Sequence, residues 1–182
     1  MKTIGFTGMP GAGKSEAVDV ARALGFEVFS MGELVRTEAR KAALSMDDRT
    51  IGAFATGERE KHGRAVWAER TADRVKRDAV EDIVIIDGIR SMEEIERFRE
   101  IFGGDFVLIA IHTKCVERLE RILKRSRKDD VKGAQELGGR DNRELSWGIG
   151  SAIAKADIMV VNDCSLEDFR EEIKKVLFGI VR

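Results

Sequence analysis

The stretch GMPGAGKS, residues 8–15, decides how the rest of the chain is read. It matches the pattern G-x-x-x-x-G-K-[ST] in full. It stands directly after an apolar run, TIGFT (3–7), and directly before a segment with helical periodicity. The glycines let backbone N–H groups turn toward phosphate oxygens, and the helix that follows adds the positive end of its dipole. Gly8, Met9, Pro10, Gly11, Ala12, Gly13, Lys14 and Ser15 are therefore read as one triphosphate-binding loop. Within it, Lys14 can reach the β- and γ-phosphates, and the Ser15 hydroxyl can ligate Mg²⁺.

Outward from the loop, further apolar runs appear at FEVF (26–29), IVII (83–86), FVLIAI (106–111) and IMVV (158–161). They are continuous rather than alternating, as expected of parallel strands covered by helices on both faces. Helical spacings of three and four lie between them. Ala17, Val20, Ala21 and Leu24 form one stripe, with Gly25 as its stop; Ala68, Ala72, Val75 and Ala79 form another. Ser91 with Glu94 is a capping-box signature, backed by Ile95, Phe98 and Phe102. Val116, Leu119 and Leu123 mark a further helix, and Ser165 with Asp168 opens a last one whose inward residues are Phe169, Ile173 and Val176. The alternation predicts a doubly wound, three-layer α/β/α domain with a five-stranded parallel sheet. The whole chain, 1–182, reads as a single domain. Residues 37–66 and 124–146 are polar excursions without a strand, expected to be lid-like insertions on that core.

Composition narrows the function classes. Lys and Arg number 32 against 33 Asp and Glu, a net charge of −1, which disfavours a protein built to coat nucleic acid. No apolar run approaches the roughly 18 residues of a membrane span. The segment IGFTG is too short for a secretory h-region, so a cytoplasmic location is expected. Cys115 and Cys164 have no Cys or His partner at metal-ligand spacing and are read as reduced, packed thiols. His62 and His112 are isolated, and solvated or capping roles are expected of both.

Three other stretches carry chemistry. In IVIIDG (83–88), Asp87 ends an apolar run and would point into the crevice at the strand's carboxyl end, where it can hold Mg²⁺. In FSMGELVR (29–36), Ser30 can cap a helix, Gly32 permits close approach, and Arg36 lies one turn in; in DGIR (87–90), Arg90 follows the Asp. Two arginines on the loop's side of the sheet suggest a second anionic substrate, because a guanidinium grips phosphate oxygens bidentately. In ERLERILKRSRK (117–128), Arg118, Arg121, Arg125 and Arg127 come from one helix and its end, and Arg140 and Arg143 follow. Arginines that close over a moving phosphoryl group stabilise its charge and expel water. A solvated basic face, paired with Glu117 and Glu120, is the competing reading of the same residues.

In this order the four features resemble the adenylate-kinase-like nucleoside monophosphate kinases, and more closely the archaeal adenylate-kinase-related P-loop proteins, over essentially the whole chain. SMGELVR is similar to the stretch with which adenylate kinases hold the monophosphate, which implies acceptor roles for Ser30, Gly32 and Arg36. DGIR is similar to their Asp-Gly-Phe-Pro-Arg, without the Pro, and implies roles for Asp87 and Arg90. ERILKR resembles the helix leading into the lid, which puts Arg121 near the donor base and Arg125 near its phosphates. RDNRE resembles the later lid arginines, Arg140 and Arg143. ADIMVVNDCSLEDF is similar to the last strand and loop of dephospho-coenzyme A kinases, which places Asn162 to Ser165 beside the adenine.

The resemblance implies an ATP- and Mg²⁺-dependent phosphotransferase acting on a small phosphate-bearing acceptor, a nucleoside monophosphate first and dephospho-coenzyme A second. Lys14, Arg90, Arg125, Arg140 and Arg143 would be catalytic. ATP is expected over GTP because no Asn/Thr-Lys-x-Asp motif is present. A regulatory or RNA-processing ATPase, with a macromolecule on the acceptor side, is the reading from another class.

Overall fold

A computed structural model of the chain describes residues 1–125 and 133–181. In chain order the elements are β1 (Lys2–Thr7), α1 (Lys14–Ala23), β2 (Glu27–Ser30), α2 (Met31–Lys41), α3 (Asp48–His62), α4 (Val66–Asp78), β3 (Ile83–Ile89), α5 (Met92–Phe102), β4 (Phe106–His112), α6 (Cys115–Arg125), α7 (Ala134–Trp147), α8 (Ile149–Ala154), β5 (Ile158–Val161) and α9 (Leu166–Val181). All strand pairs are parallel, in the order β2-β3-β1-β4-β5.

Strand alternation sorts the core into two clusters, one on each face of the sheet. Ile4, Phe6, Ile85, Ile109, Ile111 and Val160 pack against α1 and α9. Phe29, Val84, Ile86, Phe106 and Leu108 pack against α4 and α5. This is the expected three-layer α/β/α fold. Each fully buried side chain of this size contributes roughly 1.5–3 kcal/mol, so both helical layers are firmly held. The strand order reverses at β1, and the loop of residues 8–15 leaves its carboxyl end, at the switch point where doubly wound sheets bind ligands.

Two local readings need correction. In α6 the stripe expected inward was Val116, Leu119 and Leu123, but Val116 and Leu123 are exposed, at 64% and 44%, while Arg118 and Ile122 are buried. The helix is rotated so that Arg118 can serve the phosphate loop, as described below. Cys115 and Cys164 are free thiols on the surface, not packed in the core. His62 and His112 are exposed as expected. The excursion at 37–66 is helical, comprising the end of α2 and all of α3. The excursion at 124–146 contains α7, and its residues 126–132 lie outside the described residues. No helix among the described residues is long and apolar enough to cross a membrane.

Strand β3 runs past Asp87. Phe6 pairs with Asp87 but Thr7 pairs with Ile89, so Gly88 is an extra residue bulged out of the ladder, at φ +96°. Thr7 Oγ1 donates to the Ile89 carbonyl at 2.8 Å and pins the bulge. A bulge re-aims the side chains beside it. Gly88, with its access to positive φ, supplies the turn of direction in a DGIR stretch that has no Pro.

Candidate functional site

The phosphate loop is held from behind by side chains. Asn162 Nδ2 donates to the Ala12 carbonyl at 2.9 Å, and Arg118 Nη1 donates to the Pro10 carbonyl at 2.9 Å. Gly13 caps α1 at φ 113° and gives no side-chain hydrogen bond to its first turn. A Cβ on Gly13 would stand 2.3 Å from Asn162 Nδ2, so no other residue fits there. The first turn of α1 thus keeps backbone N–H groups with no side-chain cap, the arrangement that suits an anion. Lys14 Nζ donates to the Gly8 carbonyl at 2.5 Å and to that of Met9 at 3.2 Å.

Beside the loop lies a cavity of about 700 Å³, ample for a nucleoside triphosphate. Gly8, Pro10, Gly11, Gly13, Lys14 and Ser15 line it from the loop side, and Asp87, Arg121, Asn162 and Cys164 from the other elements. Met9 and Ala12 give their carbonyls to the loop's own bonding instead. Arg121 donates through Nη2 to the Asn162 carbonyl at 3.0 Å, and its Nη1 lies 3.2 Å from Thr113 Oγ1. That fixes its plane along one wall of the cavity.

Burial lowers the Lys14 pKa to about 8; Asp87 and Glu144 oppose the shift, and Arg90 and Arg140 add to it. Burial also raises the pKa of Asp87, against the pull of Lys14, Arg90, Arg22 and Arg36. Asp87 Oδ1 is buried without a hydrogen-bond partner among the described residues. An orphaned carboxylate oxygen beside a phosphate loop, with the Ser15 hydroxyl on the same cavity wall, suits a hard divalent cation such as Mg²⁺.

A second, smaller cavity of about 60 Å³ adjoins the first. Gly32 and Arg36 reach it from α2, Gly88 and Arg90 from the bulge, Asp48 and Arg59 from α3, and Arg140, Arg143, Glu144 and Trp147 from α7. Arg36, Arg90, Arg140 and Glu144 line both cavities. Arg90 Nε lies 3.1 Å from Glu144 Oε2. Glu94 is the hub behind them: its Oε1 accepts from Arg59 Nη2 at 2.9 Å, and its Oε2 from the Arg90 backbone N–H at 2.8 Å. The capping-box Glu thus reaches one residue further back than usual, while Ser91 Oγ accepts from the Glu94 N–H at 3.2 Å. Asp48 joins α3 to α7 through ion pairs with Arg140 (3.8 Å) and Arg143. Gly52 leaves room for this contact, since a Cβ there would sit 3.2 Å from Arg143 Nε.

The structure gathers Lys14, Ser15, Arg36, Asp87, Arg90, Arg121 and Arg140 around one cavity, and Gly32 and Arg143 around its neighbour. Ser30 lines neither; its hydroxyl accepts the Glu33 N–H at 3.3 Å and caps α2. Arg125 closes α6, but its side chain and the whole of Arg127 lie outside the described residues. Arg118 is buried and structural: its Nη1 and Nη2 grip Asp141 at 2.9 and 2.5 Å. Sequence reading did not single out Asp48, Arg59, Glu144 or Trp147. The usable signal was Trp147, standing in the polar stretch RDNRELSW (140–147) where no core stripe requires it.

Fold and phosphate loop together define a P-loop protein whose fold is shared with small-molecule kinases. A family model described as an AAA domain matches residues 7–138. The UPF0200 protein of Thermoplasma volcanium is 50% identical over 172 residues, covering 94% of each chain. This chain belongs to that AAA-domain family and, within it, to the UPF0200 proteins. Solved structures share the fold at low identity. A dephospho-CoA kinase from Campylobacter jejuni superposes with TM-score 0.60 at 20% identity, over 98% of this chain and 96% of the other. The shikimate kinase from Acinetobacter baumannii, in complex with shikimate, gives TM-score 0.60 at 16% identity, over 100% and 93%.

Proposed function

We propose that this protein is an ATP-dependent phosphotransferase acting on a small anionic acceptor. One observation carries the reading: a nucleotide-sized cavity and an arginine-lined one share a wall formed by Arg36, Arg90, Arg140 and Glu144. A switch or motor needs the first cavity alone, whereas transfer needs both substrates side by side. Lys14 and the first turn of α1 would hold the donor phosphates, and Arg121 and Asn162 would flank the base. Arg36 would orient the acceptor, and Arg90 and Arg140 would neutralise charge on the group in transit. Ser15 and Asp87 would hold Mg²⁺, which when bound screens the phosphate oxygens and keeps them in line. No side-chain nucleophile is required.

Nucleoside monophosphate and dephospho-coenzyme A are the acceptors that the resemblance of SMGELVR, DGIR and the last strand implies. The guanidinium groups of the second cavity support the anionic part of both. On this reading α3 and α7, from the two insertions of a single domain, act as lids, and the protein works in the cytoplasm without a membrane partner. The test is ADP release from ATP·Mg²⁺ across a panel of small anionic acceptors. A Lys14→Ala variant should lose turnover while keeping its far-ultraviolet circular dichroism. Full activity in that variant, or hydrolysis stimulated by RNA and by no small acceptor, would overturn the proposal.

A further inference from the structure

The second cavity holds more unsatisfied donors than the resemblance accounts for. Arg59 is 8% exposed and lines the cavity, yet its Nε and Nη1 have no hydrogen-bond partner among the described residues; nor do Nε and Nη1 of Arg140 or Nε of Arg143. Buried donors without hydrogen bonds are costly, and several on residues that line one space call for an anion. Yet Asp48 and Glu144 line the same space. Carboxylates repel a bare polyanion but accept hydrogen bonds from hydroxyls.

Size and aromatic geometry favour a compact acceptor over a base. At about 60 Å³ the cavity has less than a tenth of the volume of its neighbour, about 700 Å³, and so suits a sugar phosphate or a smaller acid better than a whole nucleotide. Trp147 is flanked by Arg59, Arg90 and Arg143 at 4.8, 5.2 and 5.8 Å from its ring centre. Trp67 faces Arg70 at 4.9 Å and Phe54 at 6.0 Å. Both rings are already engaged by the protein's own side chains.

Resting on the phosphotransferase reading, we propose that the acceptor is a compact hydroxyl-bearing anion rather than a nucleotide. Its carboxylate or phosphate is anchored by Arg59, Arg140 and Arg143. One hydroxyl faces Glu144, the carboxylate common to both cavities. The hydroxyl oxygen bonds to the γ-phosphorus as the bond from that phosphorus to the β–γ bridging oxygen breaks. The electron pair leaves with ADP, and the hydroxyl proton passes to Glu144.

Both tryptophans line this cavity, so intrinsic fluorescence reports on its contents. The full chain, with its donor site filled by a non-hydrolysable ATP analogue, is titrated with ribose 5-phosphate, D-glycerate, inorganic phosphate and AMP. Ribose 5-phosphate or D-glycerate should change the fluorescence saturably and bind at least tenfold more tightly than AMP. Arg59→Lys, which keeps a cation beside Glu94, should weaken that binding tenfold or more, with ATP affinity within twofold. Glu144→Ala should weaken ribose 5-phosphate tenfold but inorganic phosphate less than threefold, because phosphate brings no sugar hydroxyl to the carboxylate. Tighter binding of AMP, no response to either compact anion, or unchanged binding in Arg59→Lys overturns the compact acceptor; equal losses in Glu144→Ala overturn the hydroxyl contact. Displacement of a fluorescent ATP analogue is measured separately. A protein that binds the compact anions but not ATP overturns the phosphotransferase reading itself.

Discussion

Lys14 carries a charge that the fold resists. Its pKa of about 8, below the 10.5 of an ordinary lysine, means that the folded chain releases this proton before the unfolded chain does. The unfolded state therefore binds more protons between these values, and stability rises as pH climbs from about 8 toward 10.5. Below pH 8 the buried ammonium costs on the order of 1–3 kcal/mol, to be offset when phosphate arrives. Lys14→Met should accordingly raise the melting temperature of the nucleotide-free protein at pH 7 by roughly 3–8 °C. The same variant should lose the further rise that ATP·Mg²⁺ gives the parent chain. Scanning calorimetry with and without nucleotide checks both; a destabilised variant would mean that the lysine holds the loop together through Gly8 and Met9. ATP affinity in the parent should fall as pH rises through 8, since the free site then has to recover a proton to bind. The residue pattern alone singled out Lys14, because G-x-x-x-x-G-K-[ST] is local and every part lies within eight residues. It gave no hint of Arg59, whose partner Glu94 is 35 residues away in sequence.

At the scale of elements, helix α6 is where periodicity misled. Val116, Leu119 and Leu123 have the right spacing for an apolar face, yet the buried face carries Arg118 and Ile122. The guanidinium wins that position because it satisfies the Pro10 carbonyl and the Asp141 carboxylate at once, binding the phosphate loop, α6 and α7 together. Removing one member of so buried a pair strands the other. Arg118→Leu or Asp141→Leu should each cost about 3–5 kcal/mol, and the double variant less than the sum. Urea denaturation of the four proteins checks this; additive losses would mean that the pair has no special coupling. The capping box at Ser91, by contrast, was legible because it is built within four residues, although its Glu proved to serve Arg90 and Arg59 as well.

For the whole molecule, Asp48 is one of the contacts through which the two insertions meet. Its carboxylate pairs with Arg140 and Arg143 across 95 residues of sequence for the latter. The groups are partly exposed, so the pairs contribute only roughly 1 kcal/mol together. That is still enough to set how often α3 and α7 part. Asp48→Ala should raise amide hydrogen exchange in α7 about three- to tenfold, with β1 and β4 unchanged. Equal protection in parent and variant would mean that other contacts hold the two helices together.

The fold class was determined by the sequence alone: continuous apolar runs alternating with helical stripes leave few alternatives to a parallel sheet with helices on both faces, and the phosphate loop carries its whole mechanism in eight consecutive residues. The position of Asp87 and Arg90 beside that loop was legible because both lie toward the carboxyl end of β3, whose direction fixes their end of the sheet; Arg36 reaches the same cavity from the second turn of α2. The second cavity was decided by tertiary structure. Arg59, Asp48, Glu144 and Trp147 lie in polar helices whose patterns admit a solvated face equally well, and only the tertiary placement of α3 and α7 around one cavity brings them together. Periodicity reports which side of a helix meets the core; it carries no information about which helix stands opposite, and the second cavity is built from that opposition.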